Sequence, residues 1–517
     1  MKKYFILFLY GFIFTTCSTQ KNVTNKLKDD GIIEVQFLHI NDVYEIFPLE
    51  NGKVGGLARV AALSKKLKAD NPNTLAIMAG DFLNPSVIGT LDYEGKRVKG
   101  RQMIEVMNEF IDLATFGNHE FDLDKQELID RLNESKFKWV NANCWYNNGG
   151  TFTPFTTLDK QNEPKSIPQT WVWNVKNKQG TMAKIGFFGV TIPSTKKDYV
   201  HYDDFYTAAK ECCHKLKEIE KCDVVIGITH LNIADDQKLA AMLPDVPLLM
   251  GGHDHNNMLL SVGNTKIAKA DANAKTAYCH KIKIVGKTKK VTLNSELILI
   301  NNQLNEDETT QKIVEKWEKI ASISFSKSGI EPKKVVTNLT KPINGTDGYN
   351  RSKPSELGHV ITAAMLKAWA DTVDCAVVNG GSIRLDDVLE NTVTQYDILR
   401  TLPFGGGIPL VKMKGTLLKK LLDAGEKNKG SGGYLQHHNI EYAAASESWL
   451  IKNNRIDDNR FYTVVLTDYL LSGKEKGLDF VTKNNSDILW VQYGKKDDTA
   501  DPKSDIRKAL IQFWQLN

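Results

Sequence analysis

Beyond residue 14, the sequence has no hydrophobic run of the roughly 20 apolar residues that a membrane-spanning helix needs. It has no C-x-x-C pair, which argues against a zinc knuckle, and no excess of glycine or proline that would indicate disorder. Charge of one sign is not in excess either, since 67 basic and 62 acidic residues leave a net charge of +5. Because no concentrated basic face is indicated, we expect no nucleic-acid partner.

The start of the sequence resembles a bacterial lipoprotein signal peptide (residues 1–17). Two lysines precede a short apolar run (residues 4–14), and small residues lead on to Cys17. Cys17 stands where such proteins carry a lipid, although Thr16 replaces the usual glycine or alanine; simple cleavage nearby is the alternative. We therefore expect secretion to the periplasm or the outer membrane, with a lipid anchor and a polar tether (residues 18–30).

Six cysteines remain after Cys17, and secretion would permit disulfides between them. However, Cys212 and Cys213 lie in a helical pattern, and Cys222 opens a predicted strand. Buried free thiols are therefore at least as consistent with the sequence as disulfide bridges.

A chain of 517 residues is too long for one ordinary hydrophobic core, so two large domains are expected. In the first (residues 31–304), strand-like apolar runs alternate with amphipathic helical patterns, which is typical of a layered α/β domain. The predicted strands are 32–40, 74–79, 113–116, 138–142, 184–191, 223–229 and 247–250. The predicted helices are 57–69, 126–132, 206–220 and 235–242. A further strand, 171–175, precedes 184–190 directly, so the sheets need not be purely parallel.

A charged helix with one apolar side (residues 305–323) ends the first domain. It is interpreted either as an ordinary terminal helix or as an interdomain connector within residues 305–332. The second domain (residues 333–517) is predicted to be α+β. Its predicted elements are a helix at 356–370, a strand at 375–378, a strand and helix within 409–426 and a terminal helix at 504–515.

Five predicted strands of the first domain end in polar side chains of one kind. These are Asp42, Asp81, Asn118 with His119, His230, and His253 with His255. Because ligands bind at the carboxyl ends of strands in α/β sheets, we expect these side chains to meet. A single aspartate after a strand is usually a turn former or a helix cap. Five strand ends that all carry metal-ligand side chains make coincidence improbable.

Carboxylates mixed with imidazoles suit Zn²⁺, Mn²⁺, Co²⁺ or iron better than Ca²⁺. Six or seven ligands are too many for one closed site, so the sequence predicts two divalent transition-metal ions that share a carboxylate. Such ions, roughly 3.5–4 Å apart, activate water and brace a phosphoryl group for in-line attack. Glycines beside the ligands allow the backbone to turn sharply and approach the ions; they are Gly80, Gly117, Gly251 and Gly252.

These motifs resemble the calcineurin-like metallophosphoesterase signature. The matching residues are Asp42, Gly80-Asp81, Gly117-Asn118-His119-Glu120, His230 and Gly252-His253-Asp254-His255. Together with the second domain, they make nearly the whole mature chain similar to the bacterial 5'-nucleotidase/UDP-sugar hydrolase family. The resemblance implies a layered αββα domain followed by a smaller α+β substrate-binding domain.

The resemblance also implies a role for each residue of the first domain's motifs. Asp81 would bridge two ions; Asn118, His230 and His253 would complete one site; Asp42 and His255 would serve the other. His119 with Asp122 resembles the family's catalytic pair, in which the carboxylate orients an imidazole that faces the leaving oxygen. A positioned histidine with a near-neutral pKa can donate a proton to that oxygen.

The first motif departs from the family pattern, because Tyr44 stands in Asp42-Val43-Tyr44 where the family usually has histidine. Tyrosine is a poorer ligand unless it is ionised, so we expect the ion at Asp42 and His255 to be held more weakly. For Tyr44 a supporting role is favoured over direct ligation. His39 is not a substitute, since a residue three positions back along a strand faces away from Asp42.

In the second domain, Asn379-Gly380-Gly381-Ser382-Ile383-Arg384 follows a predicted strand and resembles the family's substrate-binding loop. The resemblance implies substrate contacts from Asn379, Gly381 and Arg384, with Arg351 as a further phosphate-binding or carboxylate-binding arginine. Phe404 and Tyr469 resemble two rings that clamp a nucleobase, each stack being worth roughly 1–3 kcal/mol. The family's Gly-Gly-Asp-Gly is replaced here by residues 473–479, so a contact from Glu475 or Asp479 is not carried over.

The expected activity is hydrolysis of extracytoplasmic 5'-nucleotides to nucleoside and phosphate by a metal-activated water. Relatives that act on UDP-sugars, 2',3'-cyclic nucleotides or a sulfur ester are alternatives, because the metal motifs set the reaction type but not the leaving group. A catalytically weak nucleotide-binding surface protein is an alternative of another class, supported only by the replacement at Tyr44.

Overall fold

The computed structural model of the chain describes Met1 and residues 31–516, apart from 286, 287, 289, 370–372, 496, 497 and 499. The predicted lipoprotein signal peptide after Met1 and the tether at 18–30 lie outside the described residues. Within them, no helix combines the length and the apolar character that crossing a bilayer requires.

The first domain contains two six-stranded sheets. In spatial order, the first sheet has the strands Lys290–Leu299, Thr276–Val285, Ile32–Ile40, Thr74–Met78, Leu113–Ala114 and Lys138–Trp139. The second has Thr170–Lys176, Met182–Thr191, Val224–His230, Leu248–Gly251, Thr265–Lys269 and Met258–Val262. In each sheet four neighbouring strands are parallel and the strands at one or both edges are antiparallel. The sequence-based expectation of mixed sheets is thus confirmed.

The two sheets pack face to face, with helices on both outer faces. Phe37 from the first sheet meets Phe187 from the second edge to face at 5.6 Å, in an apolar layer between the sheets. The helices of this domain are Leu57–Asp70, Arg101–Met107, Lys125–Glu134, Phe205–His214, Ile233–Met242 and Glu308–Ser326. Alternate residues of the central strands point to the two faces, so each sheet buries apolar side chains on both. This confirms the αββα layering.

Two helix predictions for this domain need correction. The helix predicted over 206–220 is α-helical only as far as His214, and Lys215–Ile219 continues as a wider π turn closed by a bond from Glu220 N–H to Lys215 O. The helix predicted over 305–323 spans Glu308–Ser326. It packs Trp317, which is fully buried, onto the first domain's core, so it belongs to that domain's helical layer.

The second domain has one five-stranded sheet with helices on both faces. Its strands in spatial order are Leu435–His438, Cys375–Asn379, Phe461–Val465, Leu410–Lys414 and Ile488–Gln492. Its helices are Asp347–Asn350, Glu356–Ala368, Gln395–Thr401, Gly415–Lys427, Asp468–Leu471 and Ile506–Leu516. Cys375 and Val377 face one apolar cluster while Ala376 and Val378 face another, which buries the sheet on both sides. The predicted α+β class is confirmed.

Shorter strands pair in small two- and three-stranded sheets around these sheets. In the first domain they are Pro48–Leu49, Val54–Gly55, Asp92–Tyr93, Lys96–Arg97, Cys144–Asn148, Thr151–Thr153, Thr156–Leu158, Pro164–Ser166 and Val200–Tyr202. In the second they are Val335–Asn338, Ile343–Asn344, Val388–Leu389, Thr392–Thr394, Ile440–Ala443, Ser448–Ile451 and Asn454–Arg455. The six cysteines of the described ranges are all free thiols, and five of them are buried.

Candidate metal centre and active site

The structure brings the six predicted metal-ligand residues to one edge of the first domain, where strands from both sheets end. Asp42 and Asp81 follow neighbouring parallel strands of the first sheet, and Asn118 follows the next strand. His230 ends a strand of the second sheet, and His253 and His255 follow the strand beside it. The side chains of Asp42 and His230 are fully buried. Ionisable groups are buried in this way only when they are paired or bind a cation.

The ligand atoms fall into two overlapping groups. Ligand atoms of Asp81, His230 and His253 lie within 4.8 Å of one another, and Asp81 Oδ2 is 3.0 Å from His230 Nε2. In the second group, Asp42 Oδ1 is 3.2 Å from His255 Nε2. The Tyr44 hydroxyl lies 3.5 Å from Asp81 Oδ2, in the first group, and 3.0 Å from His255 Nε2, in the second. This hydroxyl therefore lies between the two groups.

The donor atoms of this cluster fit divalent metal ions. Asn118 Oδ1 is buried without a hydrogen-bond partner, which is unusual for a polar atom unless a ligand satisfies it. Burial raises the pKa of Asp42, but the charges of His230 and His255 outweigh it, so the pKa lies well below its usual range and the group is ionised. When bound, two ions here would polarise a phosphoryl oxygen and lower the pKa of a bound water.

The backbone at this edge is held in conformations that are uncommon for residues other than glycine. Asp42, Asp81, His253 and His255 have φ values of 52°, 58°, 81° and 62°. Such left-handed residues persist where the surrounding structure fixes them, and they cluster at ligand sites. Gly117 belongs to the same arrangement, since a Cβ added there would lie 2.1 Å from Asp81 Oδ1.

Hydrogen bonds outside the ligand cluster orient two of the imidazoles. His230 Nδ1 pairs with the carbonyl of Ala79 at 2.8 Å, and His255 Nδ1 pairs with the carbonyl of Asp386 at 2.6 Å. When Nδ1 donates its hydrogen to a carbonyl in this way, the ring is fixed with Nε2 facing the position of the metal ion. The partner of His255 belongs to the second domain, so the second domain helps to orient a predicted metal ligand.

Glu120 has a structural role that sequence reasoning missed. Its buried carboxylate accepts hydrogen bonds from the backbone N–H groups of Asp81, Phe82, Leu83 and Gly117, at 2.6–3.1 Å. It therefore holds together the two loops that carry Asp81 and Asn118. The motif Gly117-Asn118-His119-Glu120 was the available signal, but three of the four backbone groups that Glu120 bonds lie 37–39 residues away along the chain.

His119 and Asp122 form the predicted pair beside the ligand cluster. His119 Nδ1 and Asp122 Oδ2 are 2.7 Å apart, and the same oxygen accepts hydrogen bonds from Asn84 Nδ2 and from Arg384 Nη2 of the second domain. Burial lowers the pKa of His119, but the charges of Asp122 and Asp81 and the hydrogen bond to Asp122 outweigh it and raise the pKa to about 10. Cations bound at Asp81 would lower this pKa again.

Tyr44 and His39 occupy different surroundings. The Tyr44 hydroxyl lies within hydrogen-bond distance of Asp42 Oδ1, Asp81 Oδ2 and His255 Nε2, and the supporting role that the sequence favoured for it stays a prediction. The ring of His39 bonds the carbonyl of Gly251 at 3.0 Å and stacks on His280, so it takes no place among the ligands, as predicted.

All six predicted substrate-contacting residues line one cavity of the second domain, with a volume of about 440 Å³. They are Arg351, Asn379, Gly381, Arg384, Phe404 and Tyr469. Cavities of this size accommodate a small organic ligand. Phe404 and Tyr469 are 64% and 44% exposed, so neither ring is part of the domain core. Arg384 reaches from this cavity to Asp122, which places the cavity beside the metal cluster.

Two further acidic residues of the second domain lie at this boundary: Asp347, which the sequence did not indicate, and Glu475, whose contact the sequence left open. Asp347 forms ion pairs with Arg351 and, at 3.8 Å, with Arg384. Glu475 lines the cavity and accepts a hydrogen bond from Asn379 Nδ2 at 2.8 Å, whereas Asp479 does not line it. The Nε atoms of both arginines are buried without a partner, as donors prepared for an anion would be.

Two protein families match the chain. The family described as calcineurin-like phosphoesterase matches residues 35–257, and the family described as 5'-nucleotidase, C-terminal domain, matches residues 335–482. The 5'-nucleotidase of Bos taurus is 26% identical over 459 residues, which cover 78% of this chain and 74% of that protein. The matches agree with the two domains that the structure shows.

Solved structures share the fold over nearly the whole chain. A 5'-nucleotidase precursor from Thermus thermophilus has a TM-score of 0.64 and 21% identity, covering 94% of this chain and 96% of that one. A sulfate thiohydrolase from the same species has a TM-score of 0.60 and 13% identity, covering 93% and 94% of the two chains. At these identities the likeness concerns the fold, which accommodates more than one reaction.

Proposed function

Because the chain belongs to the 5'-nucleotidase family of calcineurin-like phosphoesterases, and is therefore a metal-dependent phosphoester hydrolase, we propose that it releases phosphate from nucleoside 5'-monophosphates. One observation carries this proposal: Arg384 lines the second domain's cavity and also bonds Asp122 of the catalytic pair, 2.9 Å away. A nucleotide whose nucleoside lies in the cavity would thus have its phosphate beside His119 and the metal cluster.

The phosphate would be bound by the two arginines at the boundary between the domains. The buried, unpartnered Nε atoms of Arg351 and Arg384 supply charged donors with the planar geometry that suits phosphate oxygens. His119, held by Asp122, would then protonate the leaving 5'-oxygen. Binding energy from the nucleoside, which takes no part in the reaction, would position the phosphate for attack.

The nucleobase would lie between Phe404 and Tyr469. Both rings are substantially exposed on the cavity wall, and stacking on an aromatic ring contributes roughly 1–3 kcal/mol for any base. Glu475 extends the same wall beside Asn379, where it adds an acceptor for a sugar or base hydroxyl or amine. This arrangement supports broad recognition of nucleosides.

The ions would be Zn²⁺, Mn²⁺, Co²⁺ or iron, since the cluster combines carboxylate oxygens with imidazole nitrogens. The lipoprotein-like start of the sequence supports action outside the cytoplasm, with a lipid on Cys17 as the anchor. Salvage of nucleosides from extracytoplasmic nucleotides is the role that follows.

The test removes each ring of the clamp. Phe404→Ala and Tyr469→Ala should each lower kcat/KM for AMP by roughly 10-fold or more, the loss expected for one stack, and leave hydrolysis of p-nitrophenyl phosphate unchanged. That substrate has no nucleobase to stack between the two rings. Tyr442→Ala, which removes a ring of similar exposure outside the cavity, is the matched control. Equal losses on both substrates would show that the rings support the fold and would contradict the nucleotide assignment.

A further inference from the structure

Asp386, from the second domain, lies inside the group of predicted metal donors of the first domain. Its Oδ2 atom is 3.4 Å from His255 Nε2 and 3.9 Å from His119 Nε2. Its side chain is only 9% exposed, and its φ of 46° is left-handed, as it is for Asp42 and His255. Sequence motifs gave no sign of this contact, because Asp386 stands two residues beyond the Arg384 motif.

The separations within this group match those between neighbouring ligands of one ion. Around His255 Nε2, the Tyr44 hydroxyl, Asp42 Oδ1 and Asp386 Oδ2 lie at 3.0, 3.2 and 3.4 Å. Ligands about 2.0–2.2 Å from a transition-metal ion are separated by roughly 3.0 Å in octahedral and roughly 3.4 Å in tetrahedral coordination. Asp386 therefore stands where a ligand would stand.

The charge around Asp386 also calls for a cation. Among the described residues, its ion-pair contacts are to the imidazoles of His119 and His255, and no lysine or arginine pairs with it. Its other oxygen accepts the backbone N–H of Asp347 at 2.9 Å, which fixes the carboxylate's orientation. A buried carboxylate beside Asp42 and Asp347 is costly unless positive charge lies next to it. A histidine binds a metal ion as a neutral imidazole, so an ion bound at His255 would supply the positive charge that this ring then no longer carries.

We propose that Asp386 is a ligand, supplied by the second domain, of the metal ion held by Asp42 and His255. This assignment of Asp386 rests on the proposed function only in requiring that metal ions bind at the site. The ion would then join the two domains directly, alongside the bond from His255 Nδ1 to the carbonyl of Asp386.

A separate third ion is the competing arrangement, since His119, Asp347 and Asp386 also have ligand atoms within 4.8 Å of one another. The guanidinium groups of Arg351 and Arg384 both pair with Asp347, however. Two fixed positive charges beside that position disfavour a further cation. Asp386 is thus assigned to the ion at Asp42.

The test is a calorimetric titration of Mn²⁺ into the full-length, chelator-stripped protein. Two sites are expected, and Asp386→Asn should weaken the lower-affinity site by about 10–100-fold, the range found when groups that support a metal site are removed. The other site should keep its affinity. Asn retains the acceptor for Asp347 N–H, and Asp386→Ser is a second variant that also removes the charge. Asp347→Asn, on the same wall but outside the group around His255, is the control for which both affinities are retained.

Two outcomes would overturn the proposal. Unchanged affinity at both sites in Asp386→Asn and Asp386→Ser would show that Asp386 binds no ion. Loss of a third binding event in these variants, with both other sites intact, would assign Asp386 to a separate ion. Neither result depends on nucleotide hydrolysis, so failure of the 5'-nucleotidase proposal is recognised separately, by the absence of phosphate release from AMP in a fully loaded protein.

Discussion

His119 shows how neighbouring carboxylates set the protonation state of an imidazole. Asp122 bonds Nδ1 and, with Asp81, raises the pKa of His119 to about 10 in the metal-free protein, so the ring is charged. A charged imidazole with Nδ1 occupied has its remaining proton on Nε2, which faces the cluster. That is the state that a proton donor to a leaving oxygen requires.

We expect His119→Ala to lower kcat for AMP by roughly 10²–10⁴-fold, the contribution typical of a general acid, with the metal content unchanged. Steady-state kinetics together with elemental analysis of the purified protein provides the measurement. His201→Ala, which removes a histidine stacked on Phe152 away from the site, should leave both quantities as they are. Loss of metal in parallel with activity would instead make His119 a ligand, and near-normal turnover would make it structural.

At the scale of secondary-structure elements, Lys269 ties together the segments that carry three predicted ligands. It is fully buried at the end of the Thr265–Lys269 strand, and its ammonium bonds the carbonyl of Leu231 at 2.6 Å. The same group pairs with Asp236 at 2.8 Å, in the helix after His230, and closely with Asp254, which lies between His253 and His255. One charge therefore fixes both ligand-bearing loops.

Lys269→Met should destabilise the protein by about 3–5 kcal/mol, because removing one partner of a buried ion pair leaves the other charged and unpaired. Urea unfolding measures this, and Lys266→Met on the same strand is the matched control. Combining Lys269→Met with Asp236→Asn should destabilise less than the sum of the two single changes, since both act on one interaction. A small and additive effect would show that the triad does not hold the loops.

At the scale of the whole molecule, charged groups connect the two domains on more than one side of the site. Asp387 of the second domain accepts hydrogen bonds from Lys275 Nζ at 2.8 Å and Asn273 Nδ2 at 3.0 Å in the first, and from Arg400 Nη2 at 2.9 Å in its own domain. Burial raises the pKa of Asp387, but Lys275 and Arg400 outweigh it and lower the pKa to about 2. The contact is therefore strongest when Asp387 is ionised.

The pH dependence of stability follows from this shift. A pKa lowered from 3.8 to about 2 contributes about 2 kcal/mol above pH 4, and the contribution disappears as the pH falls towards 2. Asp387→Asn should thus be less stable than the parent at neutral pH by at least this amount, with the difference narrowing between pH 5 and pH 3. Urea unfolding across this range is the measurement, with Asp92→Asn, an exposed carboxylate, as control. A difference independent of pH would contradict the assignment.

Sequence patterns alone predicted the fold class, which the structure confirms, and the candidate metal ligands, which the structure brings to one edge of the first domain. Alternating strands and helices, with Asp, Asn and His at strand ends, are local features, and parallel topology places such ends together whatever the loops do. Periodicity also predicted most elements closely, for example the strand at 32–40 and the helix at 57–69, which the structure gives as Ile32–Ile40 and Leu57–Asp70.

Contacts between distant segments were decided only by the tertiary structure. Asp386 meets His255 across 131 residues, Arg384 meets Asp122 across 262, and Glu120 holds the Asp81 loop. The periodicity of a segment reports which of its own faces is buried, whereas such contacts depend on how distant segments and the two domains pack together. Sequence patterns could not predict these contacts because the packing of one segment against another determines which side chains meet. No local pattern in either segment encodes that packing.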